Sequence, residues 1–408
     1  MKILFITQNF PYPPYKDGSR LISYNLIKYL SQNNEVYLIT FCEEEDIGYI
    51  DKIKIFCSNL LIIPLIKGEL TPLKKIKQNI RKIITPKRFS SKLMYISIQK
   101  IANLWKPDIV HIDLPMMSQY YRAVEKLPKI ISSHDAISLN AYKIWKNTLN
   151  PFKKVKWFYL YKQRKWIESH YYPKFHACTV VSEEDKSFLS KHCPDLYIEV
   201  IPNGVDTEYF SPDLMNNIPS QDFTIGLFGN FIFPPNEDGA LYFTSKIYPL
   251  IKNKIPDVKL YIIGRNPTKK IKSLANNQNI IITGEVSDIR EYYLKVSVVV
   301  APFRLGSGIK NTVLQAMSMA RPIVATFQAV KAIEVLDGEH LLIADNISMF
   351  ADKVIFLLKN KMVGEKLGKL SRELVIKKYS WKSHAENFQK LYKKIINSCY
   401  WNHENSNY

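Results

Sequence analysis

Ala301-Pro-Phe-Arg-Leu-Gly-Ser-Gly-Ile-Lys-Asn-Thr-Val-Leu-Gln-Ala-Met-Ser-Met-Ala-Arg-Pro-Ile-Val-Ala-Thr326 is the stretch that settles the class of fold. A β-rich apolar run, Val296–Ala301, stops at Pro302. The turn Gly306-Ser307-Gly308 follows, where missing side chains let a ligand come close to the backbone. A helix is expected to open near Ile309, and a second apolar run, Pro322–Ala325, ends the unit. Strand, glycine turn, helix and strand in this order describe a parallel βαβ unit whose strands are buried on both faces. The first turn of a helix presents unpaired N–H groups and is an anion site, and Lys310, expected on that turn, adds a formal charge suited to a diphosphate. No GxxxxGK(S/T) occurs in the chain and no GxGxxG follows the first strand, so P-loop and ordinary dinucleotide readings lose their support.

Working outward, the same alternation repeats along the chain. Toward the N-terminus, strands are expected at Lys2–Ile6, Val36–Phe41, Leu60–Ile63, Ile109–Ile112, Lys129–Ser132, Cys178–Val181 and Glu199–Ile201. A helix from Ser19 carries Leu21, Ile22, Leu26, Ile27 and Leu30 at helical spacing. A second series starts at Phe223–Phe228, with a helix near Asp238–Ile251 and strands at Lys259–Ile263, Asn279–Ile282, Val296–Ala301, Pro322–Ala325 and His340–Ile343. Between the two series lie Pro202-Asn-Gly-Val-Asp206, Ser211-Pro-Asp213 and a polar stretch, the composition of a domain boundary. The expectation is an α/β protein of two Rossmann-like, doubly wound domains, 1–205 and 206–380, facing a central cleft, with a helical tail, 381–408, packing back toward the first. Ligands of such sheets bind beyond the carboxyl ends of the strands.

Composition narrows the class. With 408 residues, 46% hydrophobic and 23% charged, the chain can bury a core in each domain, and disordered or fibrous classes fall away. Its net charge of +20 calls for an anionic partner, and 31 basic against 18 acidic residues in 1–200, with 26 and 19 after, put most of the excess in the first half. Five cysteines without a CxxC pair argue against a disulfide framework, and His176, Cys178, His192 and Cys193 match no usual metal-ligand spacing. The opening apolar run meets Pro11 too early for a signal peptide, and Leu60–Ile66 is about a third of the ~20 residues a spanning helix needs. A cytoplasmic protein is expected.

Several separated tracts together resemble the retaining glycosyltransferases of family four, the group 1 glycosyltransferases, which share the two-domain GT-B fold. They are Lys2-Ile-Leu-Phe-Ile with Phe10-Pro-Tyr-Pro-Pro14 and Asp17-Gly18; Val181-Ser-Glu-Glu-Asp185; Ile201-Pro-Asn-Gly-Val-Asp206 with Tyr209-Phe-Ser-Pro212; Gly229 with Pro234-Pro-Asn236; Ile262-Ile-Gly-Arg-Asn-Pro267; Thr283-Gly-Glu-Val286; and Gly308–Thr326. The resemblance implies transfer of a sugar from a nucleotide donor to an acceptor hydroxyl with retained configuration and no obligatory metal or other cofactor. Charge on the leaving diphosphate then falls to helix-start N–H groups and cations.

Residue by residue, the resemblance implies donor binding by Gly306, Gly308, Ile309, Lys310 and Asn311, and approach of the Gly18 backbone to the phosphates or donor sugar. Arg265 is a further cation for the phosphates, and Glu285-Val286 matches the loop whose backbone reads the base. The family's two glutamates, eight positions apart, fall on Ser307 and Gln315; Asn230 and Asn236 stand for its usual cationic pair, and Ala320 for a glycine. Ser307 can still meet a sugar oxygen, and Gln315 can accept from ribose hydroxyls without charge assistance. His134, closing the strand run Lys129–Ser132, matches the family's active-site histidine, so His134, Lys310 and Ser307 are the candidate catalytic residues.

Two basic tracts, Leu73–Ile84 and Phe152–Trp166, interleave lysine and arginine with large apolar residues and read as cationic amphipathic helices able to lie on an anionic membrane. They suit a lipid-linked or glycan acceptor and a peripheral location. No nucleic-acid module is present, and a nucleic-acid partner is not expected. The rival reading, motivated by the missing glutamates, is a noncatalytic binding subunit supporting a partner enzyme.

Overall fold

In the computed structural model, residues 1–14, 16–65, 89–215, 221–305 and 308–405 are described. The basic tract 73–84 and the residues Gly306 and Ser307 lie outside them. The chain divides into two compact units, Met1–Pro202 with His384–Tyr408, and Asn203–Ser383.

The first unit holds a seven-stranded sheet built from β1 (Lys2–Thr7), β2 (Glu35–Cys42), β3 (Asn59–Pro64), β4 (Ile109–Asp113), β5 (Lys129–His134), β6 (Ala177–Val180) and β7 (Ile198–Val200). All pairings are parallel, in the order β3-β2-β1-β4-β5-β6-β7. The direction in which successive strands are added reverses between β1 and β4, where Thr7 lies level with Asp113. β5 slips register between Ser132 and His134, and His134 takes φ +61°, so this bulge ends the strand by redirecting the histidine. Leu4, Ile6, Val110, Ile112 and Ile131 pack on one face and Ile3, Phe5, Ile109 and Ile130 on the other, as expected of strands covered on both sides. The second face receives Ala385, Phe388, Leu391, Tyr392 and Ile395 from the helix Trp381–Asn405, which belongs to the first unit from His384 onward. Their spacing of three and four residues makes one apolar stripe.

The second unit repeats the plan with β8 (Thr224–Phe228), β9 (Lys259–Ile263), β10 (Ile280–Gly284), β11 (Val298–Ala301), β12 (Ile323–Ala325) and β13 (Leu342–Ile343) in the parallel order β10-β9-β8-β11-β12-β13. The helical segment after β8 runs from Pro234 to Lys254 and widens into a π turn at Phe243–Ile247. Pro249 explains the widening, because it has no N–H to donate and its ring clashes with the preceding turn. The division between units falls at Pro202/Asn203 rather than after residue 205. Val205 donates its N–H to the Tyr379 carbonyl at 2.7 Å and so belongs with the second unit. Gly204 is required there: a Cβ would lie 2.7 Å from the Trp381 nitrogen.

Candidate functional site

Each sheet has one topological switch point, and the chemistry-bearing side chains collect at the carboxyl ends of the strands that flank it and of their neighbours. In the first unit these are β1 and β4. Asp113 ends β4 fully buried and accepts three hydrogen bonds, from Thr7 Oγ1 at 2.8 Å, Ser23 Oγ at 2.7 Å and His134 Nε2 at 2.9 Å. Burial opposes the negative charge, yet the His134 charge and hydrogen bond, His111 and the Ser23 hydroxyl outweigh it and hold the carboxyl below the usual range. An ionised Asp113 takes the Nε2–H of His134, which leaves Nδ1 as the nitrogen free to meet a substrate. The pair therefore holds the imidazole in one orientation, with the left-handed backbone at His134 setting its direction.

Gly18, exposed, is the first residue of the helix Gly18–Leu30, with Asp17 as its cap, and the space where its side chain would stand is open. The same helix is anchored by Arg20, which donates to Asp46 through both terminal nitrogens at 2.9 and 2.8 Å and to the Tyr12 carbonyl at 2.7 Å. This holds the loop after β1 that leads into the helix.

In the second unit the switch lies between β8 and β11. The helix after β11 is Asn311–Ser318, and Lys310 is its N-cap with extended backbone, φ −91° and ψ 107°. The helix thus begins two residues later than expected and Lys310 stands ahead of the first turn, not on it, because Gly308 at φ +70° and the extended Lys310 delay helical geometry. The N–H groups of Val313 and Leu314 already turn back on the Lys310 carbonyl at 2.9 and 3.2 Å, so those of Asn311 and Thr312 are the ones directed outward. Gly308, Ile309 and Lys310 are half-buried and Asn311 is exposed.

Loops after the neighbouring strands are clamped together beside this helix start. Gly229 N–H donates to the Ile263 carbonyl, Phe231 N–H to the Arg265 carbonyl and Gly264 N–H to the Gly284 carbonyl. Gly264 has φ +140°, and a Cβ there would sit 1.8 Å from the Gly229 oxygen, so only glycine fits. Asn266 Nδ2 donates to Asn230 Oδ1 at 3.1 Å and Asn236 Nδ2 to the Asn230 carbonyl at 2.9 Å. The two asparagines that stand for the family's cationic pair thus tie the loop to itself. Arg265 and Glu285 are exposed on the carboxyl edge, while Val286 packs into the core. Gln315, one turn into the helix, accepts at Oε1 from the Tyr293 hydroxyl at 3.2 Å, and Tyr293 stacks on Phe228 at 3.8 Å. The same hydroxyl lies 3.2 Å from the Thr312 carbonyl, so its one proton is shared between two acceptors, and the second lone pair of the Gln315 oxygen keeps its capacity to accept from a ligand.

Asp113, Tyr293 and the Arg304–Asp238 ion pair are site-edge residues that sequence reasoning missed. Arg304 donates to Asp238 at 2.6 and 3.1 Å, lies 4.2 Å from the Tyr242 ring centre and links the loop after β11 to the helix after β8. A carboxylate closing a buried strand was the one available signal for Asp113. Among the described residues no group of three or more His, Cys, Asp and Glu is placed to hold a metal. His192 is bonded instead to Glu168 at 2.9 Å, and His176 lies against the Lys129 backbone.

Comparison with known proteins agrees with the two-sheet fold. The family "Glycosyltransferase Family 4" matches residues 17–209 and "Glycosyl transferases group 1" residues 222–360. A Klebsiella pneumoniae protein described as an uncharacterized 44.6 kDa protein in cps region is 24% identical over 383 residues, 88% of this chain and 91% of that one. A Salmonella typhimurium lipopolysaccharide 1,2-N-acetylglucosaminetransferase is 21% identical over 52% of this chain and 61% of its own. Among solved structures, sucrose-phosphate synthase from Thermosynechococcus elongatus superposes with a TM-score of 0.68 at 16% identity, covering 97% of this chain and 99% of that one. Anabaena HepE in complex with UDP-glucose superposes at 0.59 with 12% identity, covering 97% and 100%. At these identities the likeness to solved structures is one of fold.

Proposed function

The chain belongs to the family 4, group 1 glycosyltransferases, and from that premise we propose that it moves a sugar from a nucleotide-sugar donor to a hydroxyl of a glycan or lipid-linked acceptor, with retention of configuration. The observation that carries the reading is the helix start at Asn311, with its outward N–H groups, the open left-handed Gly308 and Lys310 at the cap. As the glycosidic bond breaks, negative charge grows on the leaving diphosphate, and pre-oriented N–H dipoles and a cation stabilise it without reorganising. The reading needs no resident metal or other cofactor. In the first unit, His134, held by Asp113, offers Nδ1 to a sugar hydroxyl. The UDP-glucose bound to HepE and the lipopolysaccharide named for the Salmonella relative support the choice of donor and acceptor class.

Thermal-shift titration against UDP-, GDP-, dTDP- and ADP-sugars tests the donor: a ligand that prefers the folded protein at a hundred times its Kd adds about 2.7 kcal/mol of stability. Lys310→Ala is expected to weaken that ligand about ten- to hundredfold, the loss of one charge-assisted hydrogen bond. Unchanged affinity removes Lys310 from the site. A second reading, a donor-binding subunit that supports a partner enzyme, is favoured by Ser307 and Gln315 standing where the family has two glutamates. Donor binding without transfer to any glycan or lipid acceptor would select it.

A further inference from the structure

The helix Pro151–Tyr171 has two apolar faces, and only one of them is packed. It forms an antiparallel hairpin with Ile137–Asn147 through the short loop at 148–150. On the packed face Tyr161 meets Tyr142 at 5.4 Å and Trp145 at 5.9 Å, Ile167 is buried, and Arg164 donates to the Ile137 carbonyl at 3.2 Å. The other stripe, Phe152, Val155, Tyr159 and Trp166, recurs at helical spacing and faces solvent. Phe152 is 87% exposed and Val155 70%, and Leu149 in the connecting loop is 97% exposed. An ordinary solvent-facing helix surface is polar, and contiguous large apolar side chains at a projecting tip mark an interaction surface.

The charge around the stripe identifies what covers it. Residues 137–171 contain eight basic side chains and one acidic one, so this hairpin alone carries +7 of the net +20. The single acid, Glu168, is buried and bonded to Ser138 and His192. Lys156 and Lys162 are exposed and border the stripe, and Lys153 and Lys154 are exposed on the first turn of the same helix. Aromatic and aliphatic side chains at the tip with lysines beside them are the arrangement that partitions into the headgroup region of an anionic bilayer, with rings at the interface and ammonium groups at the phosphates. No described helix is long and apolar enough to cross a membrane.

We propose that the 137–171 hairpin docks this protein on anionic lipid bilayers, inserting Leu149, Phe152 and Val155 and holding the phosphates with the flanking lysines. The proposal requires neither donor nor acceptor, so it stands or falls apart from the transferase reading. The test is co-sedimentation of the full chain with vesicles of phosphatidylcholine alone or with a third phosphatidylglycerol, at low and high salt. Wild-type protein is expected to pellet with the anionic vesicles and to be released by salt. Lys153→Gln/Lys154→Gln/Lys156→Gln is expected to lower partitioning about a hundredfold, roughly fivefold per lysine. Phe152→Ser/Val155→Ser is expected to abolish the binding that survives high salt. Both variants change exposed positions, and unaltered thermal unfolding shows that they fold. Absence of wild-type binding, or equal binding by wild type and both variants, overturns the proposal. So does a wild-type dimer in sedimentation equilibrium that Phe152→Ser/Val155→Ser makes monomeric while vesicle binding is absent, since the stripe then covers a second copy of the chain.

Discussion

His111→Asn should flatten the acid side of the stability profile by one proton. His111 is fully buried in the middle of β4, stacked on Phe5 at 4.3 Å, with Nδ1 2.5 Å from the Tyr392 hydroxyl on the C-terminal helix. Burial drives its pKa from the ordinary 6.5 to about 3; Asp113 opposes the shift, and His134 and His384 add to it. The folded protein therefore keeps this imidazole neutral where the unfolded chain protonates it. Its contribution to stability is complete above pH 6.5 and is lost as the pH falls toward 3. Below the unfolded pKa the loss is about 1.4 kcal/mol per pH unit, so between pH 7 and pH 5 this one group removes about 2 kcal/mol. Asparagine keeps a polar atom near Nδ1 and titrates nowhere in this range. The variant starts less stable, having lost a stacked ring, but its stability should fall by about 2 kcal/mol less over the same interval. Urea unfolding followed by tryptophan fluorescence measures this, because Trp105, Trp145, Trp157, Trp166 and Trp401 belong to the first unit and only Trp381 to the second. His384, shifted by burial to about 4, contributes its own loss to both proteins and cancels in the difference. Equal falls in wild type and variant would show that His111 is protonated in the folded protein and would refute the reasoning.

Further expectations concern the site and its frame. Asp113→Asn removes the charge that orders Thr7, Ser23 and His134 and inverts the imidazole tautomer, so transfer at saturating donor should drop roughly tenfold or more while donor affinity holds; an unchanged rate separates His134 from the reaction. Ala320 sits at φ +51° at the end of the helix that begins at Asn311, a conformation costing about 1–2 kcal/mol for a residue with a Cβ. After the extra chain entropy of glycine, Ala320→Gly should stabilise by about 0.5–1 kcal/mol, read by calorimetry. Gly264→Ala should cost about 3 kcal/mol, because its methyl would meet the Gly229 oxygen, and a folded variant with unaltered melting would contradict the clamp.

Much of the fold is legible before any coordinates. Parallel strands covered on both faces are predominantly apolar, and each expected run, from Lys2–Ile6 to His340–Ile343, contains or overlaps an observed strand. The strand-to-helix unit around Gly308 was legible because a buried apolar run, a glycine turn and a helical pattern follow one another along the chain. The beginning of that helix was not, since Lys310 is helical by propensity and extended by the geometry that Gly308 imposes. For His134 the sequence supplied the residue but not its partner: Asp113 lies 21 residues away and reaches it only through pairing of β4 with β5 and the bulge at Ser133. Likewise the sequence did not show that Tyr293, 22 residues before Gln315, sets its hydroxyl 3.2 Å from the Gln315 oxygen.

Sequence by itself determined the two doubly wound sheets, the family and the basic bias of the first half, because burial patterns, short-range turn chemistry and net charge are properties of neighbours along the chain. Tertiary structure alone decided which apolar face of Pro151–Tyr171 is packed and which is left to solvent, and which carboxylate fixes the histidine. Those choices depend on groups far apart in sequence that meet only when strand order and helix packing bring them within hydrogen-bond or van der Waals reach.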